Sequence, residues 1–261
     1  MKTLILTPIA ERDLHFYLAA DQKLKGKPQL QVVFLSFYQP GNELIRQAGF
    51  PVYDPYKESA VSISREKLVK DYQTLPLEHL VLHEKLTFGQ TSNEECYQKL
   101  EKMFPAVEQL LAKIEKEHPG EKFILQELAG FLSPLSLYYV GMKRGWSHFF
   151  SEPSFFKGRI HFLLNSLFLH IPDKAPSAKA ISETSAYLEN ALKNKVVVAA
   201  TKDAHHYKDM GLAKIFNPEN LRKISKKIFY KYVKGETQEF DHIWNHSQRY
   251  LKMLVNRWKN G

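Results

Sequence analysis

The chain has one cysteine, Cys96, in 261 residues, which excludes an internal disulfide and any multi-cysteine zinc site. A tyrosine and two glutamates flank Cys96 and no basic residue adjoins it, so it reads as a helix residue and not as a nucleophile. No apolar run reaches the roughly 18 residues that a membrane-spanning helix needs. The start, Met1 to Leu6, is too short for a signal segment before Pro8 and the charged Glu11-Arg12-Asp13. The expected location is therefore the cytoplasm. Glycine is sparse, 12 residues in all, and none stands in the first strand-to-helix turn, Thr7 to Asp13. A dinucleotide fingerprint or phosphate loop needs glycines there for close backbone approach, so both are excluded at this turn.

What is present is ordinary globular chemistry, 44% hydrophobic and 25% charged, with a formal charge of +9. The charge is uneven. Residues 219–261 carry ten Lys or Arg against four Asp or Glu, hence +6. Such a tail suits an anionic partner or is a solvated helical face.

Apolar runs at Thr3 to Leu6, Gln31 to Phe37 and Pro51 to Asp54 alternate with helical patterns at Ala10 to Leu24 and Glu43 to Ala48. This β-α-β-α-β order predicts an α/β fold, a Rossmann-like parallel sheet flanked by helices. Residues 62 to 72 read as a polar helix, and Leu75 to Leu86 fits either state. His79 and His83 share a helical face there but lack the surrounding pattern of a metal site. Ser92 or Asn93 caps a long amphipathic helix that Pro105 restarts or kinks and Pro119-Gly120 ends. Strands Phe123 to Gln126 and Trp146 to Phe150 enclose a helix from Pro134 to Lys143. A helix from Ile181 to Lys193 and a strand from Val196 to Ala200 follow, and two helices finish the chain. The first is expected to bury Leu221, Ile224, Ile228 and Tyr232, the second Phe240, Ile243, Trp244, Leu251, Leu254 and Trp258. Residues 1–216 form the α/β unit and 217–261 a basic helical extension.

Three carboxylates stand at expected strand ends: Glu127, Glu152 and Asp203. Ligands of open α/β sheets bind there, and paired carboxylates supply the acid, base or nucleophile of glycosyl chemistry. Glu127 is either such a group or a carboxylate placed at a helix N-terminus. Glu152 pairs with Arg159 to hold a loop, or Arg159 clamps a ligand phosphate or carboxylate. Asp203 with His205 is read as a carboxylate beside a titratable group, and no metal is expected. Glu11, Arg12 and Asp13 put polar groups at the sheet mouth. The aromatics Phe149, Phe150, Phe155, Phe156, His161 and Phe162, with Lys157, are a stacking surface or plain core. No nucleic-acid-binding motif accompanies them, so nucleic acid is not the expected partner.

The segments Thr7 to Leu18, Val33 to Gly41, Gln126-Glu127 and Phe149 to Pro153 through Gly158-Arg159 to Asn165 resemble the first half of capsular polysaccharide biosynthesis proteins. More narrowly they are similar to the retaining β-Kdo glycosyltransferases of capsule and lipopolysaccharide assembly. The resemblance implies the N-terminal half of a GT-B-like enzyme that transfers a sugar acid from a CMP-activated donor to a glycan acceptor, with no further cofactor. It implies a carboxylate nucleophile matched by Asp203, with Glu127 as acid/base or orienting group and His205 beside Asp203. Glu11, Arg12, Asp13, Glu152, Arg159 and Asn165 are then the substrate-binding candidates. Such an enzyme works at the inner face of the membrane, and the basic tail is expected to touch anionic lipid. Family members carry a second sheet domain, so this chain is expected to be a fragment, to be completed by a partner domain or chain, or to be a reduced relative.

Overall fold

The computed structural model describes residues 1–24, 29–72, 76–88, 92–128, 130–153, 160–168, 175–194, 217–239 and 243–260. It is an α/β fold built on one six-stranded sheet, ordered β3-β2-β1-β4-β5-β6. The strands are β1 (Lys2–Thr7), β2 (Leu30–Leu35), β3 (Val52–Tyr53), β4 (Glu121–Glu127), β5 (Ser147–Pro153) and β6 (Ile160–Leu164). β1 to β5 are parallel, as right-handed crossovers through helices require, and β6 returns antiparallel along the edge of β5. The sequence shows the first five strands, but Ile-His-Phe-Leu-Leu of β6 carries no clear alternation and was not distinguished from the aromatic surface around it.

Helices α1 (Glu11–Leu24) and α2 (Asn42–Gln47) follow β1 and β2. α3 (Arg65–Asp71), α4 (Leu77–Phe88), α5 (Asn93–Glu117) and α6 (Leu132–Lys143) precede and follow β4. The ambiguous Leu-rich segment is thus helical. α5 starts at a Ser92/Glu95 capping box and runs unbroken through Pro105, so the proline neither restarts nor ends it. Its Leu100, Phe104, Val107, Leu110, Leu111 and Ile114 are buried against Ile5, Val33 and Ile124 of the sheet. Each such side chain contributes about 1.5–3 kcal/mol by leaving water. Cys96 is buried in this helix, and burial pushes its thiol up to about 11, which keeps it unreactive at neutral pH. At the turn into β4, Gly120 has φ +107° and lies against the Met1 carbonyl, where a Cβ would collide with the backbone. On the opposite sheet face α1 buries Leu14 and Tyr17 against Leu6 and Phe34. No described helix is long and apolar enough to cross a membrane.

Three further helices are described: α7 (Ala178–Lys193), α8 (Pro218–Ile228) and α9 (Ile243–Asn260). Their apolar faces correct an expectation. Leu221, Ile224, Ile228 and Tyr232, expected to be buried, are exposed, as are Trp244, Leu251 and Trp258; only Ile243 of the second set is shown buried, and Phe240 and the Leu254 side chain fall outside the described parts. Periodicity marks a helix face without saying what lies against it. The segment between α8 and α9 nevertheless enters the core. Tyr38 bridges Gln238, Gln39 bonds Thr237 through both its backbone and its side chain, and Glu239 is buried.

His148 on β5 is fully buried between Tyr138 and Phe150, with neither ring nitrogen hydrogen-bonded. Burial alone pushes its pKa down to about 3, so the folded chain keeps it neutral where the unfolded chain protonates it. Stability on this account is full above the ordinary histidine value and falls by about 1.4 kcal/mol per pH unit below it. Melting temperatures measured from about pH 7 down to about pH 4 are expected to fall less steeply for His148→Phe than for the parent. Parallel pH profiles for the two proteins would show that His148 is not the buried proton acceptor.

Candidate active site

The strand order reverses between β1 and β4, whose first crossovers run to opposite sides of the sheet. The connections that leave their paired carboxyl ends therefore part to the two sides and leave a crevice, the place where open α/β sheets bind ligands. Here the crevice is lined by Arg12, Asp13, Phe16, Tyr17, Glu127, Ser151 and Ile160 and holds about 300 Å³. β4 delivers Glu127 as its last residue. β5 supplies Ser151 directly opposite in register, and the Leu128 N–H donates to the Ser151 carbonyl at 3.1 Å, which fixes the strand end. α1 begins at the same mouth, so its first turn carries Glu11, Arg12 and Asp13 into place.

Arg12 Nη2 donates to Glu127 Oε1 at 2.5 Å, and Arg12 Nε lies 3.6 Å from Asp13 Oδ1. Asp13 is tethered in turn, accepting from the Ile9 N–H at 3.3 Å. Partial burial raises the Glu127 pKa, the Asp13 charge raises it further, and Arg12 opposes both. Tyr17 closes the floor, its phenol pushed well up by burial and by Asp13 and Glu127. The Arg12 side chain is 77% exposed, in contrast with 6% for Asp13, so its guanidinium is the group that an incoming anion meets. Above it, Lys226 of α8 reaches Glu11 at 2.6 Å and brings Arg222 near the same helix end.

Of the residues singled out in the sequence, the fold thus gathers Arg12, Asp13 and Glu127 into one crevice, with Glu11 on its rim. Glu152 follows Ser151 on β5 and pairs with His161 of β6, so alternation turns it to the other sheet face. Asn165 sits at the opposite end of the sheet. At φ 53° it closes β6 onto β5, its N–H donating to the His148 carbonyl and its Oδ1 accepting from the His148 N–H, each at 2.7 Å. It therefore is not brought to the crevice. Arg159, Asp203, His205 and the Val196 to Ala200 segment lie outside the described residues, as do Phe155, Phe156 and Lys157. No cluster of three or more metal-ligating side chains occurs among the described residues. The sequence alone does not mark Tyr17 or Ser151 as site residues. Tyr17 stands one turn after Asp13, which was the available signal; Ser151 becomes visible only through strand register.

Comparison of the chain with family models, with curated proteins and with solved structures gives no match.

Proposed function

We propose that the chain is a glycosyltransferase of bacterial capsule or lipopolysaccharide assembly that transfers a sugar acid such as Kdo from a CMP-activated donor, its sheet forming the N-terminal half of a GT-B-like enzyme. The observation that carries this reading is the Arg12, Asp13 and Glu127 cluster at the strand-order reversal. An exposed guanidinium suits the donor's carboxylate or phosphate, because its planar fork matches both. A carboxyl whose pKa is held above its usual range suits general acid/base work at the acceptor hydroxyl or the leaving group. On this reading Arg12 leaves Glu127 for the donor when it binds, and Glu127 is then free to exchange its proton. Asp203 keeps the nucleophile's role that the resemblance implies for it, with His205 beside it.

Incubation of the purified chain with the CMP-sugar acid and a glycan acceptor, read by mass spectrometry, is expected to give a glycosylated product. Calorimetry is expected to show donor affinity weakened at least tenfold in Arg12→Ala, the usual loss for a charge-assisted bond of about 1.5–3 kcal/mol. Absence of both donor binding and transfer would remove the proposal.

A further inference from the structure

The terminal helix α9 carries an apolar stripe that nothing described covers. At 100° per residue, Trp244, Leu251, Val255 and Trp258 fall within an arc of about 60°. They are 62%, 60%, 46% and 83% exposed. The two tryptophans are about 21 Å apart along the axis, one near each end of the helix. Between Ile243 and Asn260 the sequence has no Asp or Glu, while Arg249, Lys252, Arg257 and Lys259 are basic. α8 is also amphipathic and mostly basic, with exposed Leu221, Ile224 and Ile228 on one side and Arg222, Lys223, Lys226 and Lys227 against the single acid Glu219, which Lys223 pairs, in the same eleven residues. The Trp244 Nε1–H donates to the Tyr232 hydroxyl at 2.8 Å, which ties α9 to the turn that follows α8.

We infer that α8 and α9 form a docking surface for an anionic lipid bilayer. An amphipathic helix with tryptophan on the apolar face and only basic charge on the other lies in the membrane interface, its indoles at the level of the headgroups. A protein partner of matching shape would satisfy the stripe but does not call for an acid-free helix. A bilayer with acidic headgroups answers both features. The anchoring is built into the fold: Ile243, the first residue of α9, and Glu239, four residues before it, are buried, so the surface is fixed to the core and not tethered loosely. Since Lys226 of α8 bonds Glu11 at the crevice rim, docking holds the crevice near the headgroup plane. The surface is independent of the chemistry proposed for the crevice.

The test is co-sedimentation of the full chain with vesicles of phosphatidylcholine containing about one-third phosphatidylglycerol, against phosphatidylcholine alone. Binding is expected only to the anionic vesicles, with loss in about 0.5 M salt. Trp146, the third tryptophan, is buried, so a blue shift of emission on vesicle addition reports Trp244 and Trp258. Trp258→Ala is expected to weaken partitioning about tenfold by losing buried apolar area. Lys252→Glu, which reverses one charge at an exposed position, should weaken it by at least about fivefold. Circular dichroism and an unchanged response to Arg12→Ala control for folding and for the crevice. Failure of the parent chain to bind the anionic vesicles overturns the inference, as does binding that survives both substitutions. A stable dimer in solution that Trp258→Ala dissociates overturns it too, because the stripe would then belong to a second copy.

Discussion

Replacing Lys99 by methionine is expected to lower the stability of the folded chain by about 3–5 kcal/mol. Lys99 Nζ donates to Glu84 Oε1 at 2.6 Å and to Glu239 Oε1 at 2.7 Å. Both carboxylates are almost completely buried, and each has a second partner: the Leu132 N–H donates to Glu84, the Tyr56 hydroxyl to Glu239. Burial pushes both acids up; Lys99 outweighs it at Glu239, whose pKa is lowered, while Glu84, which also feels Glu239, stays raised. Without the lysine, two buried carboxylates remain with no cation. Both then hold their protons more tightly folded than unfolded, so stability is retained in acid and lost as the pH rises through the raised values. Thermal unfolding should show a melting point about 10 °C lower at neutral pH, with part of the loss recovered on acidification. The triple change Glu84→Gln, Lys99→Met, Glu239→Gln should restore most of the stability, since removing a whole buried ion group is far less costly than removing its cation. A Lys99→Met protein as stable as the parent would mean that the triad contributes no net pairing.

The second large effect is expected at Glu127. Under the transferase proposal, Glu127→Gln should reduce turnover by about 10²–10⁴-fold with little change in donor affinity, because the amide keeps the shape and a hydrogen-bonding oxygen but not the proton. Burial first and the Asp13 charge second hold the parent's carboxyl above its usual range. If it acts as the acid, the alkaline limb of the rate profile belongs to it, and Asp13→Asn should move that limb to lower pH. A Glu127→Gln enzyme of normal rate, or an Asp13→Asn profile unmoved, would reduce Glu127 to a positioning partner of Arg12.

How far the sequence reaches differs from element to element. The run Gln-Val-Val-Phe-Leu of β2 and the carboxylate closing β4 are local signals, and the sheet uses both as read. The crevice depends on strand order, which local periodicity does not encode; only pairing β1 with β4, residues more than a hundred positions apart, sets Arg12 against Glu127. The edge position of β6 is hidden for the same reason. The buried triad had one local sign: Glu84 stands four residues after Leu80 and three after Val81, in phase with the buried side of α4. A charge at that phase demands a partner, but nothing nearby names Lys99 or Glu239. The terminal helices erred in the other direction. Their stripes are plain in the sequence, and whether a stripe meets core or solvent depends on what packs there.

The link between Lys99 and Glu239 spans 140 residues of chain. A ribosome adding about 5–20 residues per second makes that stretch in roughly 7–28 s. Until then α4 and α5 meet with one carboxylate on the lysine and an open place for the other. The nascent chain can pair β1, β2 and β4 before Glu239 has been made. A chain that has not yet reached Glu239 therefore leaves Lys99 with Glu84 as its one partner of the two.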